Sequence, residues 1–496
     1  MATVTSGLEH IAAAEIGDAF LGSQVEVQYD RKDYPGRVFF SVSNMTEDSF
    51  SILNGLHSVE YVYCLIGRIT LQSCCPPPAQ PTTTTDDTEQ LKSSLQEKEG
   101  QEKQSDEGEK VAEKKEEHKK RKKAREDDKR RKKKKTEVDP QLKEKALAEI
   151  ASAVSIYNET DWETAYGVWK SYARAVKGIR NSEMLSTAIF SVSARTAGSH
   201  LFRENEMGET LAASIQTLYP RWRQQCRNSE MEIMAYLRNS ELILGFTITQ
   251  SSLSMSHVSA SRDLGVTALK PAIAYAMLRM AQLRPGMIVV DPMSGCGTIP
   301  QMGSNIWSHC LYFAGDISEV AVRKTKNNED SAREEKRRTA PCDVFQWDGT
   351  LTPFRDNSVD MVITDMPFGK RIGNKQGNTK LYPRIFQEMY RIVREGGKAV
   401  VLTQETELMQ SKIISRKTWK DEEHMDINQG GMKTRIYVLS KVNASEECSG
   451  QHARELSVEW KCLWANKQKE VHPPGIEPGS PAWKADIIPL DHECWL

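Results

Sequence analysis

The sequence predicts an α/β protein: a doubly wound domain in its C-terminal half, preceded by an α+β region. Three observations lead there. From Thr267 onward, short apolar runs alternate with stretches of helical periodicity. A glycine-containing turn, Asp291–Thr298, follows directly on the first of those runs, where α/β sheets hold nucleotides. The part before Thr267 instead groups its strand-like runs together, one of them paired as a hairpin.

Residues 1–73 mix short apolar runs with turns. His10–Ala19 reads as a helix, Arg37–Val42 as a strand after Gly36, and Glu60–Ile66 as a second strand. Residues 76–150 differ. No aromatic residue stands between Cys64 and Tyr157, and a Pro/Thr-rich start from Pro76 to Thr85 leads into mixed-charge repeats. The block Lys119–Lys135 holds 13 Lys/Arg in 17 positions. Such composition buries too little apolar area to offset chain entropy, so the segment is expected to be a charged insertion, disordered or a solvated helix. A solvated charge run, a nuclear-import signal and an RNA-touching arm all fit the basic block.

Order returns over 155–262. Trp162 and Trp169 lie seven apart and can share one helical face, as core rather than as a stacking platform. Ala188–Ser193 and Met231–Leu237 read as strands, and Leu242–Ile248 as a hairpin partner after Asn239. In 267–442, Leu269, Ile273, Met277 and Met280 fall on one helical face. Five strands are expected at Ile288–Val290, Leu311–Ala314, Val344–Gln346, Val359–Thr364 and Ala399–Thr403. A helix is expected over Tyr382–Arg394, and a closing hairpin around Gly430-Gly431. Residues 443–496, crowded with prolines, are expected to stay outside the fold.

Bulk properties exclude several classes. The 496 residues carry a net charge of −1 that conceals strong zoning. The ten cysteines form no CxxC pair, so no metal site is expected and a reducing compartment is. The cytoplasm fits, with the nucleus left open by the basic block. No run of about 18 apolar residues occurs, so no membrane span is expected.

Four signals bear on chemistry. In Asp291-Pro292-Met293-Ser294-Gly295-Cys296-Gly297-Thr298, Gly295 and Gly297 permit a tight turn and close backbone approach to a ligand. An ordinary glycine turn is the plainer reading. Asp316 ends the next strand, where an acid suits ribose hydroxyls. Asp348 ends the third, where a carboxylate can accept from an adenine amine. Either Asp alone would suit a helix N-cap, but their ordered series after consecutive strands favours a nucleotide-like ligand. The fourth signal is Asp365-Met366-Pro367-Phe368 after Val359–Thr364. A base amine is a poor nucleophile because its lone pair is delocalised into the ring. The Asp365 carboxylate and the Met366 carbonyl can draw it toward tetrahedral geometry and absorb developing positive charge. Phe368 can stack on an extruded base. A buried turn after a strand is the alternative. No Pro-Cys stands here, which argues against a cysteine adduct.

These residues resemble the motifs of the Rossmann-like class I amino-methyltransferases. Thr364–Arg371, which adds Gly369, Lys370 and Arg371, is similar to the THUMP-domain tRNA guanine-N2 methyltransferases. Gly7-Leu8-Glu9, Phe190–Gly198, Leu269–Met277, Val344–Asp348 and Thr434–Leu439 extend the likeness across residues 1–73 and 155–442. The resemblance implies a Rossmann-like methyltransferase domain over 267–442, preceded by a ferredoxin-like part and a THUMP domain that bind RNA. It implies S-adenosyl-L-methionine as cofactor, held by Asp291, Pro292, Gly295, Gly297, Thr298, Asp316 and Asp348. Catalysis is implied for Asp365, Met366, Pro367 and Phe368. The implied substrate is tRNA guanine N2 at positions 6 and 7, and the implied partner is a small methyltransferase-activator subunit. Lys370 and Arg371 suit RNA phosphate, or are plain surface cations. Methylation of a small nuclear RNA guanine, and RNA binding without turnover, remain open. The chain departs from the family at Gln301-Met302, where Ile-Glu is usual, and at Leu253–His257, where a basic stretch is usual.

Overall fold

The computed structural model describes residues 1–21, 24–76, 139–181, 186–249, 252–253, 268–334, 340–368 and 375–442. The chain divides into two compact units, Met1–Ser256 and His257–Leu496.

The first unit opens with β1 (Ala2–Val4), α1 (Glu9–Ala19), β2 (Val25–Gln28), β3 (Arg37–Val42), α2 (Glu47–Asn54) and β4 (Val59–Thr70). These pair antiparallel in the order β2-β3-β1-β4, the arrangement of a ferredoxin-like βαββαβ unit. Then come α3 (Pro140–Ile156), α4 (Glu159–Ala175), β5 (Ile189–Ala197), α5 (Glu204–Leu218), β6 (Arg223–Gln224), β7 (Met231–Arg238) and β8 (Glu241–Thr247). Strand β8 pairs with β4, so one eight-stranded sheet runs β2-β3-β1-β4-β8-β7-β5-β6. Trp162 and Trp169 are each 1% exposed inside its core, which bears out their reading as packing residues.

One boundary is corrected. The segment 76–150 is expected as a disordered or solvated helical insertion, yet from Pro140 it forms α3, whose apolar face is buried in the core. Asp139 caps it by accepting from Gln141 N, and Pro140 supplies a ready-made first-turn φ. Ala146, Ile150 and Ala153 recur at helical spacing and are buried. Glu149 accepts from Ser73 N at 2.6 Å, tying the helix to the end of β4. Averaging these residues with the neighbouring charge run concealed their periodicity. Residues 77–138 and 443–496, including the basic block and the proline-rich tail, lie outside the described residues.

The second unit contains α6 (Pro271–Met280), β9 (Ile288–Asp291), α7 (Thr298–Ile306), β10 (Leu311–Asp316), α8 (Glu319–Glu334) and β11 (Cys342–Gln346). It continues through β12 (Val359–Asp365), α9 (Lys375–Ile392), β13 (Val393–Thr403), β14 (Trp419–Gln429) and β15 (Met432–Lys441). The sheet order is β11-β10-β9-β12-β13-β15-β14, with β15 alone running against the other strands, between β13 and its hairpin partner β14. All five expected strands form. The order reverses between β9 and β12, which makes their carboxyl ends a topological switch point. Two expectations shift. Helix α9 starts seven residues before Tyr382 and yields to β13 at Val393. Helix α6 is buried all round rather than on one face, because Ala272, Ala274, Tyr275, Ala276 and Leu278 are buried as well. Among the described residues no helix is long and apolar enough to cross a membrane.

Candidate functional site

The site is built on the carboxyl ends of β9, β10 and β12. Strand β9 stops at Asp291, and the chain turns through Gly295 (φ 55°) and Gly297 (φ 84°) into α7. Both angles lie in the left-handed region that glycine alone enters freely. At Gly297 a side chain would also meet Thr325 Cγ2 at 2.6 Å, so packing forbids one. At Gly295 an added Cβ would meet nothing within 4 Å. There the missing side chain leaves bare backbone that a ligand can approach.

The turn is fastened from several sides. Ser294 N donates to Gly315 O at 2.8 Å, and Gly295 N to Asp316 Oδ2 at 3.0 Å. Thr325 Oγ1 donates to Gly295 O at 2.9 Å, Asn328 Nδ2 to Cys296 O at 3.0 Å, and Trp347 Nε1 to Pro292 O at 3.1 Å. Asp316 also accepts from Ser318 N at 2.9 Å through Oδ1. Each of its oxygens thus has one backbone donor and keeps lone-pair capacity. Asp348 is exposed, and its Oδ1 closes a turn with Thr350 N at 2.8 Å.

Asp291 points inward. Its Oδ1 accepts from Thr364 Oγ1 at 2.8 Å and from Met293 N at 3.2 Å, joining β9 to β12. Burial pushes its carboxyl up to about 7 against these bonds, with the Asp316 charge adding to the rise. Thr298 is likewise buried, and the Pro292 carbonyl is engaged by Trp347. The contacts of these three residues shape the loop.

Asp365 ends β12. Its Oδ1 is buried and has no hydrogen-bond partner among the described residues. Burial, then the nearby Asp291 charge, pushes this carboxyl up to about 8. An orphaned carboxylate oxygen is costly, and such atoms in a cleft point to a ligand that supplies a donor. Met366 continues the strand by donating its N–H to Leu402 O at 2.9 Å. Its side chain is 1% exposed in the core, so only its backbone is available for chemistry. Phe368 is half-buried. Lys370 and Arg371 lie outside the described residues.

Sequence reasoning missed several neighbours. Thr364 anchors Asp291. Ile317, 69% exposed beside Asp316, offers an apolar surface at the same end of the sheet. Asn378 and Tyr382 reach the carbonyl of Pro367 from α9. Their i,i+4 spacing was a readable signal, but it gave no indication of which surface they would face.

Strand order, glycine turn and acidic strand ends define the fold of the Rossmann-like methyltransferases. Residues 260–435 match the family model described as "RMKL-like, methyltransferase domain". The chain is similar to the tRNA (guanine(6)-N(2))-methyltransferase THUMP3 of Homo sapiens, 34% identical over 55% of each chain. It is also similar to the U6 snRNA (guanine-N(2))-methyltransferase THUMPD2 of Homo sapiens, 32% identical over 44% of this chain and 41% of that one. It thus spans about half the length of the curated relatives it matches. Among solved structures, TrmN from Thermus thermophilus superposes with a TM-score of 0.56 at 19% identity, covering 89% of this chain and 98% of that one. The resemblance seen in the motifs is thereby borne out, as is the Rossmann-like fold.

Proposed function

We propose that the chain is an S-adenosyl-L-methionine-dependent methyltransferase acting on guanine N2 in tRNA. The Oδ1 of Asp365 at the switch point, unpartnered among the described residues, carries this reading. The bare Gly295 backbone beside Asp316 fits the cofactor, because it admits a ligand where any side chain would intrude. Asp316 and Asp348 would take the ribose hydroxyls and the adenine amine, with Ile317 against the ring. Asp291, Pro292 and Thr298 would keep the loop in shape, with Gly295 and Gly297 giving it its turn. The bound cofactor supplies an electrophilic methyl group on a sulfonium.

The chain's own residues then act on the acceptor. The Asp365 carboxylate accepts a hydrogen bond from the guanine N2–H, and the Met366 carbonyl accepts from the same amine. Both pull the nitrogen lone pair out of conjugation and stabilise the positive charge that grows on it. Pro367 fixes the turn, and Phe368 stacks on the extruded base. Lys370 and Arg371 are assigned to phosphate, and the first unit, as ferredoxin-like part plus THUMP domain, to tRNA. A small activator subunit is the proposed partner, and the cytoplasm the proposed compartment, with the nucleus open through the basic block.

The similarity to a U6 snRNA enzyme supports a second reading, the same reaction on a small nuclear RNA guanine. The full chain, alone and co-expressed with the activator, should transfer radiolabelled methyl to tRNA and yield N2-methylguanosine. Transfer to U6 snRNA but not tRNA would favour the second reading. Cofactor binding with no transfer to either RNA would leave a non-catalytic binding protein.

A further inference from the structure

We infer that Tyr382 and Asn378 are positioning residues that set the aim of the Asp365–Phe368 turn, through a one-way hydrogen-bond chain running from β13 to the Pro367 carbonyl. The inference rests on the proposed reaction for its consequence, though not for its geometry. Asn378 Nδ2 donates to Pro367 O at 2.8 Å, and Tyr382 Oη donates to the same oxygen at 3.3 Å. Tyr382 Oη also lies 2.7 Å from Thr403 Oγ1, and Glu405 N donates to Thr403 Oγ1 at 2.9 Å.

One direction makes all of these bonds at once. The Pro367 carbonyl can only accept and the Glu405 N–H can only donate. In it Tyr382 donates its single proton to Pro367, and Thr403 donates its own to Tyr382. Each bond polarises the next, so the phenol is a stronger donor than it would be alone. Asn378 is 1% exposed, and Tyr382 and Thr403 are fully buried, so water does not stand in for either donor. Burial also raises the Tyr382 phenol well above its ordinary range, keeping the proton on the oxygen.

The arrangement does more than anchor a loop. The Met366 N–H is fixed to β13 through Leu402 O. The Pro367 carbonyl, one peptide further on, is fixed to α9. Between these two anchors lies the Met366 carbonyl, one of the two acceptors proposed for the substrate amine. Rotation of that peptide is thus pinned at both ends. Small misplacements of an acceptor lower rate steeply while leaving distant binding contacts alone.

The test uses the full chain. Tyr382→Phe removes only the donating hydroxyl. Single-turnover methyl transfer to tRNA should slow about tenfold, with adenosylmethionine and tRNA affinities unchanged. Thr403→Val, one step back along the chain, should do the same, whereas Thr403→Ser keeps the hydroxyl and should restore the rate. Hydrogen exchange of the peptide spanning Thr364–Phe368 should rise about tenfold in Tyr382→Phe and Thr403→Val but not in Thr403→Ser. Unchanged exchange in both variants overturns the inference, as does a wild-type rate in Tyr382→Phe where the unaltered protein is active. If the unaltered protein transfers no methyl to tRNA, the functional reading fails, and exchange alone decides the positioning role.

Discussion

Replacing Asp365 by Asn should make the protein more stable and far less active, and the two effects share one cause. The carboxyl ordinarily titrates at 3.8 and is held up to about 8 by burial, with the Asp291 charge adding to the rise. In the unfolded chain the group ionises as pH passes 4. In the folded chain it keeps its proton until near 8. Between those limits the folded state binds the extra proton, so stability falls as pH rises, by about 1.4 kcal/mol per pH unit for a fully isolated group. The residue is half-buried, so roughly half that slope is expected, giving a loss of about 2 kcal/mol between about pH 5.5 and 8. An amide in its place would carry no such charge and escape the loss. Urea unfolding of both proteins across that range measures the difference. In single-turnover assays, Asp365→Asn should cost about 100-fold or more, the scale of removing one preorganised charge stabiliser. Adenosylmethionine affinity by calorimetry should change little. On the proposed function, the unaltered protein should speed up in kcat/KM as pH rises toward 8, because only the ionised carboxylate would both accept the amine hydrogen bond and counter its charge. A flat pH–rate profile with parallel stability curves would refute the argument from burial. A fully active Asn variant would refute the assigned role.

Other substitutions separate loop geometry from ligand contact. Gly297→Ala places a Cβ 2.6 Å from Thr325 Cγ2 at φ 84°, so it should lower stability by about 1–3 kcal/mol, read as a drop in melting temperature. Gly295→Ala meets no neighbour. It should cost only the strain of the left-handed backbone, about 1–2 kcal/mol, yet weaken adenosylmethionine binding about tenfold or more in calorimetry. Ile150→Ala in α3 empties a fully buried position and should destabilise the first unit by about 2–5 kcal/mol in denaturant unfolding. No loss there would restore disorder to the stretch before residue 150.

The parts of the fold that were legible in the sequence are those whose signal is local. Strands β9 and β12 and the second half of β13 are short apolar runs, Ile288–Val290, Met361–Ile363 and Ala399–Leu402, and all five parallel strands cover their expected places. The glycine turn was legible because φ angles of 55° and 84° leave glycine as the natural choice. Helix α3 was not, because its apolar stripe is short and follows directly on 13 basic residues in 17. The roles inside the site divide along the same line. Asp316 and Asp365 stand where the motif spacing put them, one tied to the Gly295 backbone and the other with an oxygen at the switch point that no described residue partners. Asp291, expected beside the cofactor, turns inward to Thr364, 73 residues later in the chain. Nothing near Asp291 in sequence announces that partner, because it exists only once β9 and β12 pair. The same holds for the two donors to Pro367, Asn378 and Tyr382, and for Thr403 behind Tyr382: they belong to two elements that converge only through packing. On the proposed function, the motif records which group meets the substrate, while the groups that aim it are chosen by tertiary contact. The motif's second proposed acceptor, the Met366 carbonyl, belongs to the backbone, so the identity of residue 366 is free to follow the core: a buried Met here meets a packing need. On that argument, Met366→Leu should preserve methyl transfer within about threefold, since volume-conserving core exchanges cost little, whereas a polar residue there should lose both stability and rate. A Leu variant that folds normally but fails to transfer methyl would place the sulfur itself, and not the carbonyl, in the chemistry.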